Sequence, residues 1–156
     1  MSGPLDRLIG TWVGAGRGFY PTIEAFAYTE EVTFAAVVGK PFLAYNQRTR
    51  HATEDRPLHA EAGYWRWVDS DRRLEVVLAH PTGVAEILEG EMVRRDDGLD
   101  LVLDSASIAL TGTAKEVRAT RRHFELRGDT LRYTVAMAAV GLELVEHLEA
   151  ELVRRS

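Results

Sequence analysis

Gly10-Thr11-Trp12-Val13-Gly14-Ala15-Gly16-Arg17-Gly18 is the stretch whose reading decides how the rest of the chain is understood. Extended backbone sends alternate side chains to opposite faces. Trp12, Gly14, Gly16, Gly18 and Tyr20 therefore share one face, and Thr11, Val13, Ala15, Arg17 and Phe19 take the other. One face is bare between two aromatics. Glycine inside a strand gives up packing and backbone entropy, so this spacing points either to a sharp bend or to something flat approaching the backbone closely. A dinucleotide loop is excluded, because that fingerprint needs a further glycine after two intervening residues, a preceding strand and a following helix.

Outward from this strand, the chain keeps to period two. Phe26, Tyr28, Glu30, Val32, Phe34 and Ala36 alternate with Ala27, Thr29, Glu31 and Thr33, with one carboxylate on the aromatic side. Further extended segments run over Phe42 to Thr49, Leu58 to Val68, Leu74 to Ala79, Val84 to Val93, Leu99 to Leu103, Lys115 to Leu126 and Leu131 to Met137. Turn residues such as Gly39-Lys40-Pro41, Asp69-Ser70-Asp71, Asp96-Asp97-Gly98 and Arg127-Gly128-Asp129 separate them. Leu142 to Arg155 reads two ways. Leu144, Leu148 and Leu152 at spacing four favour a helix by periodicity, while Leu148, Ala150 and Leu152 against His147, Glu149 and Glu151 fit a strand. Taken as extended, it completes an all-β chain: a ten-stranded antiparallel up-and-down barrel with a short N-terminal helical turn over Pro4 to Ile9. Closure removes the exposed edges of an open sheet, and a barrel of this size holds a ligand in or near its mouth.

The bulk composition agrees. A chain of 156 residues with 46% hydrophobic and 28% charged residues builds one domain, 1–156, with its own core. The net charge of -5 and the scattering of basic residues as isolated pairs disfavour nucleic acid. The absence of cysteine excludes disulfides, thiolate metal sites and thiol nucleophiles. No secretory signal pattern and no membrane-spanning run occurs, so the expected location is cytoplasmic, with no membrane partner.

Without cysteine, the histidines are the natural metal ligands. His51 in a charged hairpin tip, His80 before a proline and His123 after Arg121-Arg122 read as surface imidazoles, and no HxH or HExxH spacing is present. His59 shares parity with Trp65 and Trp67, and His147 lies among Leu144, Val145 and Leu148; each is either a satisfied core residue or a ligand. Glu30, Glu31, Glu61, Glu86, Glu89 and Glu91 are expected mostly to face solvent. Lys115, placed at the start of a strand, reaches either water or a ligand carboxylate. Ser105 and Ser107 lack a nucleophile elbow.

Taken together, Gly10-x-Trp12-x-Gly14-x-Gly16-x-Gly18, Tyr20-Pro21-Thr22, Glu30-Glu31-Val32, Gly39-Lys40-Pro41, Pro57-Leu58-His59-x-Glu61-x-Gly63-Tyr64, Ala114-Lys115-Glu116, Met137-x-Ala139-Val140 and Glu146-His147-Leu148 resemble the nitrobindin family over nearly the whole chain. The resemblance implies a ten-stranded barrel holding ferric haem b that isomerises peroxynitrite to nitrate and can bind nitric oxide. It implies His147 as axial iron ligand and catalytic residue, Thr22 and Lys115 as haem contacts, and His59 as a cofactor-side histidine on the distal face. It also makes the last segment the closing strand, and it leaves self-association into a homodimer open. Leu142-Glu143-Leu144 departs from the family pattern of a Gln-Pro pair ahead of the histidine. Two other functions are carried alongside: a haem-free barrel for a small apolar ligand, and a haem-based nitric oxide sensor or carrier.

Overall fold

The structure, a computed structural model, describes residues 3–68 and 72–156, so the turn expected at Asp69-Ser70-Asp71 lies outside the described residues. A 3-10 turn at Asp6–Leu8 leads into β1 (Gly10–Tyr20), β2 (Ile23–Ala36), β3 (Phe42–His51), β4 (Pro57–Val68), β5 (Arg73–His80), β6 (Val84–Arg95), β7 (Gly98–Leu110), β8 (Val117–Arg127), β9 (Thr130–Ala139) and β10 (Val145–Arg154). Each strand pairs antiparallel with its sequence neighbours, and β1 closes on β10 to complete the barrel.

The C-terminal segment is a strand, not the helix that leucine spacing favours. The free edge of β1 supplies a ladder from Trp12↔Arg154 to Gly18↔Leu148, and a closed ladder satisfies backbone groups that an edge would leave open. Lys115 also lies elsewhere than expected. The segment around it is taken up by a turn in which the amide of Ala114 donates to the carbonyl of Thr111 (3.1 Å), and β8 begins only at Val117.

Up-and-down topology sorts the connections by end. Residues 21–22, 52–56, 81–83, 111–116 and 140–144 form the mouth, while 37–41, 96–97 and 128–129 lie at the base with the N-terminal turn. Leu5, Leu8 and Trp12 are fully buried there, and the Trp12 indole donates to the carbonyl of Leu8 (2.8 Å). The Arg154 guanidinium covers the same indole at 4.3 Å. Burial of each such side chain contributes about 1.5–3 kcal/mol, so the base is a packed plug. Phe34, Leu43, Trp65, Leu74, Leu101 and Leu126 extend it upward as one apolar cluster.

The bare face of β1 is filled by its neighbour. Gly16 pairs with Tyr28 and Gly18 with Phe26, and both rings lie across the glycines. A Cβ on Gly16 would fall 2.5 Å from the Tyr28 ring and 2.6 Å from the carbonyl oxygen of Glu149; one on Gly18 would fall 2.1 Å from the Phe26 ring. Close approach is therefore the reason for these glycines, and the flat groups are aromatic side chains of β2.

Candidate functional site

Above the apolar plug the barrel interior turns polar, and above that it opens into a cavity of about 590 Å³ reaching the mouth. That volume lies within the roughly 300–1,000 Å³ typical of cofactor and small-molecule sites. Apolar walls come from Phe26, Leu58, Val84, Val117, Val135, Met137 and Leu148.

His147 enters this cavity through a β-bulge. On β10 the pairing runs Glu146↔Ala136 and then Leu148↔Val135, which leaves His147 as the extra residue in the ladder. Strict alternation with Leu148, Ala150 and Leu152 would send it outward; the bulge re-aims it inward. Its Nδ1 lies 3.0 Å from the carbonyl oxygen of Phe19 on β1. A carbonyl only accepts, so Nδ1 carries the proton, and Nε2 keeps its lone pair, with no hydrogen-bond partner among the described residues. Burial holds the His147 pKa below the usual imidazole value, against the pull of the Phe19 carbonyl, so the ring is neutral at pH 7. Tyr20 packs edge-on to the ring with centroids 5.5 Å apart. The Tyr20 hydroxyl donates to the carbonyl of Met137 (3.0 Å) and accepts from the amide of Ala139 (2.9 Å), spanning from β1 to β9 across the start of β10.

β5 stands diametrically across the ten-stranded ring from β10, flanked by β4 and β6. His59 on β4 and His80 on β5 therefore face His147 across the cavity, and all three line it. His59 Nε2 lies 3.0 Å from His80 Nδ1, and His80 Nε2 lies 2.6 Å from Glu86 Oε2. Burial also holds the His59 pKa down.

His80 is a correction to the surface reading, since its side chain is only 8% exposed. Glu30, Glu61 and Glu86 are corrected in the same way, because all three are buried inside the barrel. Their partners explain how. Arg122, equally buried, donates to Glu61 Oε1 (2.8 Å) and to Glu86 Oε2 (3.1 Å). Glu86 also accepts from Thr120 (2.7 Å). Burial opposes ionisation of Glu86, but the His80 hydrogen bond, the Arg122 charge and the Thr120 hydroxyl outweigh it and hold its pKa at about 2. Burial likewise works against Glu61, and the Arg122 guanidinium brings its carboxyl below the usual value. Among the described residues, no cation bonds to Glu30. Burial pushes it up to about 7, although Tyr133 (2.6 Å) and Gln47 (2.8 Å) donate to it. The parity of each strand carried the signal for this network: Leu74, Val76 and Leu78 precede His80 at its parity, Phe124 and Leu126 follow Arg122, and Leu88 and Met92 follow Glu86.

Thr22 occupies the tight β1–β2 turn and Lys115 the β7–β8 loop; both are exposed on the rim of the mouth and neither lines the cavity. His51 ends β3 and accepts backbone amides of Thr53 and Glu54 through Nδ1. His123 is exposed on the outer face of β8.

A closed barrel with a neutral imidazole facing into a cavity of mixed apolar and polar walls defines the class: a barrel shaped to hold a small molecule inside its mouth. The chain belongs to the THAP4-like, heme-binding beta-barrel domain family, whose sequence profile matches residues 1–154. It is 53% identical over 151 residues to a protein of Mycobacterium avium (strain 104) named peroxynitrite isomerase 2, covering 97% of this chain and 92% of that one. It is 51% identical over 150 residues to the peroxynitrite isomerase of Nocardia farcinica (strain IFM 10152), covering 96% and 88%. Among solved structures, Rv2717c from M. tuberculosis superposes with a TM-score of 0.94 at 45% identity, covering 100% of this chain and 99% of that chain.

Proposed function

We propose that this chain, as one nitrobindin-like domain over 1–156, is a ferric haem b protein that isomerises peroxynitrite to nitrate and also binds nitric oxide, with His147 as axial ligand. The observation that carries the reading is the Nδ1–H bond of His147 to the carbonyl of Phe19, which leaves Nε2 as a free lone pair in the cavity. Ligating histidines are oriented in this way, through their second nitrogen. When bound, ferric haem would supply Lewis-acid chemistry toward the peroxynitrite anion, with His147 as the residue that would hold it.

The chain's own groups do the rest. Phe19 selects the tautomer and raises the donor strength of His147, and Tyr20 restricts the ring's rotation. Val135, Met137 and Leu148, which line the cavity with His147, would keep bulk water from its imidazole. Thr22 and Lys115, exposed on the rim, would reach the polar edge of the cofactor, Lys115 by pairing with a propionate. His59 faces the open side as a neutral imidazole. Relatives named peroxynitrite isomerase at about half identity support the substrate.

Hemin titration tests the ligand. The chain gains a Soret band and a ferric high-spin spectrum, and His147→Ala loses them; equal hemin affinity in that variant sinks the ligand assignment, and failure of the unaltered chain to bind hemin favours a haem-free carrier of an apolar ligand. Catalytic amounts of the haem form accelerate peroxynitrite decay with nitrate as product. Stoichiometric quenching alone would identify a nitric oxide sensor or carrier instead. The proposal includes a cytoplasmic location, checked by cell fractionation. It also includes a homodimer, supported by the outward row of Tyr64, Val77 and Ile87, which stand opposite one another on β4, β5 and β6 and are 43–50% exposed. Sedimentation velocity checks that arrangement.

A further inference from the structure

Across the cavity from His147, the structure carries a second set of metal-type donors that the axial ligand does not use. Among the described residues, His59, Glu61 and His80 are the one group of histidine and carboxylate side chains whose donor atoms lie within 4.8 Å of one another. We propose that these three residues form a binding site for a divalent transition-metal cation, separate from the His147 imidazole.

Three features of the geometry point the same way. First, His59 Nε2 and His80 Nδ1 face each other at 3.0 Å. Two imidazole nitrogens at that distance share one proton between two lone pairs, and a cation that displaces the proton gains both. Ligand bonds of about 2.0–2.1 Å at a tetrahedral angle place nitrogens about 3.3 Å apart, so the pair is already near chelating distance. Second, His80 holds its other nitrogen on Glu86 Oε2 at 2.6 Å. The Glu86 carboxylate only accepts, so His80 Nε2 carries a proton, and Nδ1 is the nitrogen left to face the site. This is the carboxylate–histidine arrangement that orients metal-bound imidazoles. Third, Glu61 is 7% exposed and its Oε1 is taken by Arg122 and Tyr45, but its buried Oε2 has no hydrogen-bond partner. A buried carboxylate oxygen that His80 Nε2 approaches only to 3.8 Å, beyond hydrogen-bond reach, is costly unless something arrives to meet it. Drawing it into coordination needs a movement of at most ~1.5 Å.

Charge agrees with the donor set. Glu61 and Glu86 share the single guanidinium of Arg122, a surplus of two carboxylates over one fixed cation among these groups. A dication answers that surplus. Two imidazoles and one carboxylate suit zinc or ferrous iron rather than calcium or magnesium, and the fourth position opens into the cavity.

The test uses the full chain without haem and zinc alone as probe, titrated against a chromophoric chelator. One zinc binds per chain. His59→Ala, at the cavity wall and outside the apolar plug, weakens binding by more than about 100-fold, and Glu86→Gln by about 10–100-fold through loss of His80 orientation. His147→Ala retains zinc. Melting curves of each variant confirm that it folds, and the unaltered chain melts higher with zinc while His59→Ala does not. Absence of saturable binding in the unaltered chain, undiminished binding in folded His59→Ala, or loss of the zinc on His51→Ala or His147→Ala overturns the proposal. Hemin takes no part in the titration, so failure here leaves the haem reading standing, and failure of hemin to bind leaves this one.

Discussion

Replacing Glu30 with Gln makes the protein more stable in alkaline buffer relative to the unaltered chain, and not in acid. Glu30 is 5% exposed, accepts hydrogen bonds from Tyr133 and Gln47, and has its pKa raised to about 7 from 4.5 chiefly by burial. A folded-state pKa above the unfolded one means that the native state holds the proton more tightly. The stability from that proton is fully present below about 4.5 and is lost as pH rises through about 7. The shift corresponds to about 3 kcal/mol in total, of which about 2–3 kcal/mol falls between pH 5 and pH 8. Gln cannot ionise and keeps the shape. Its carbonyl still accepts from Tyr133, and its amide can donate to Gln47 Oε1, a buried oxygen without a partner in the unaltered chain. Urea unfolding of the haem-free protein at both pH values, at fixed ionic strength, measures the difference. The stability of Glu30→Gln minus that of the unaltered chain should rise by about 2–3 kcal/mol from pH 5 to pH 8. Parallel pH profiles, differing by less than about 0.5 kcal/mol, would refute a carboxyl that is neutral when folded.

Other expectations follow from the same structure. Arg122→Met strands the carboxylates of Glu61 and Glu86 in the interior and costs about 3–5 kcal/mol at neutral pH; a loss under 1 kcal/mol by urea unfolding contradicts the ion-pair assignment. Glu86, with its pKa held at about 2, contributes stability present above about 4.5 and lost as pH falls toward 2, so Glu86→Gln should flatten the acid limb of the pH–stability curve and leave the limb near pH 7 in place. Gly16→Ala drives a methyl into Tyr28 and the backbone of Glu149 and should cost at least about 1–3 kcal/mol, whereas Gly112→Ala, with nothing near its Cβ, should cost far less; comparable losses in thermal melts would show that space is not the reason for the glycine.

The wall of the barrel was legible because its alternation survives almost everywhere, from Tyr28, Val32 and Phe34 on β2 to Leu131, Tyr133 and Val135 on β9. Alternation fails at the proposed ligand. His147 has the parity of Glu149 and Glu151, and only the bulge, which no residue in that segment announces, turns it inward; the family resemblance singled out this residue, and periodicity did not. The buried acids failed for another reason. Their parity was correct, but a lone glutamate read in isolation belongs in water, and its interior place depends on Arg122, which lies 61 residues from Glu61 and 36 from Glu86. Thr22 was read as a contact through resemblance alone, and Lys115 also from its place at the start of an expected strand; both sit on the rim where topology gathers the mouth loops.

The seam between β1 and β10 joins the two ends of the chain, and Phe19 and His147 are 128 residues apart across it. Of all the ladders it spans the longest loop and carries the greatest closure entropy. The proton on His147 is therefore assigned by the most distant pairing in the molecule. Until the first strand meets the last, neither ring nitrogen is chosen. Any local opening of the seam returns the imidazole to free exchange between its two tautomers, so the donor atom of the site and the closed circumference of the wall form and dissolve together.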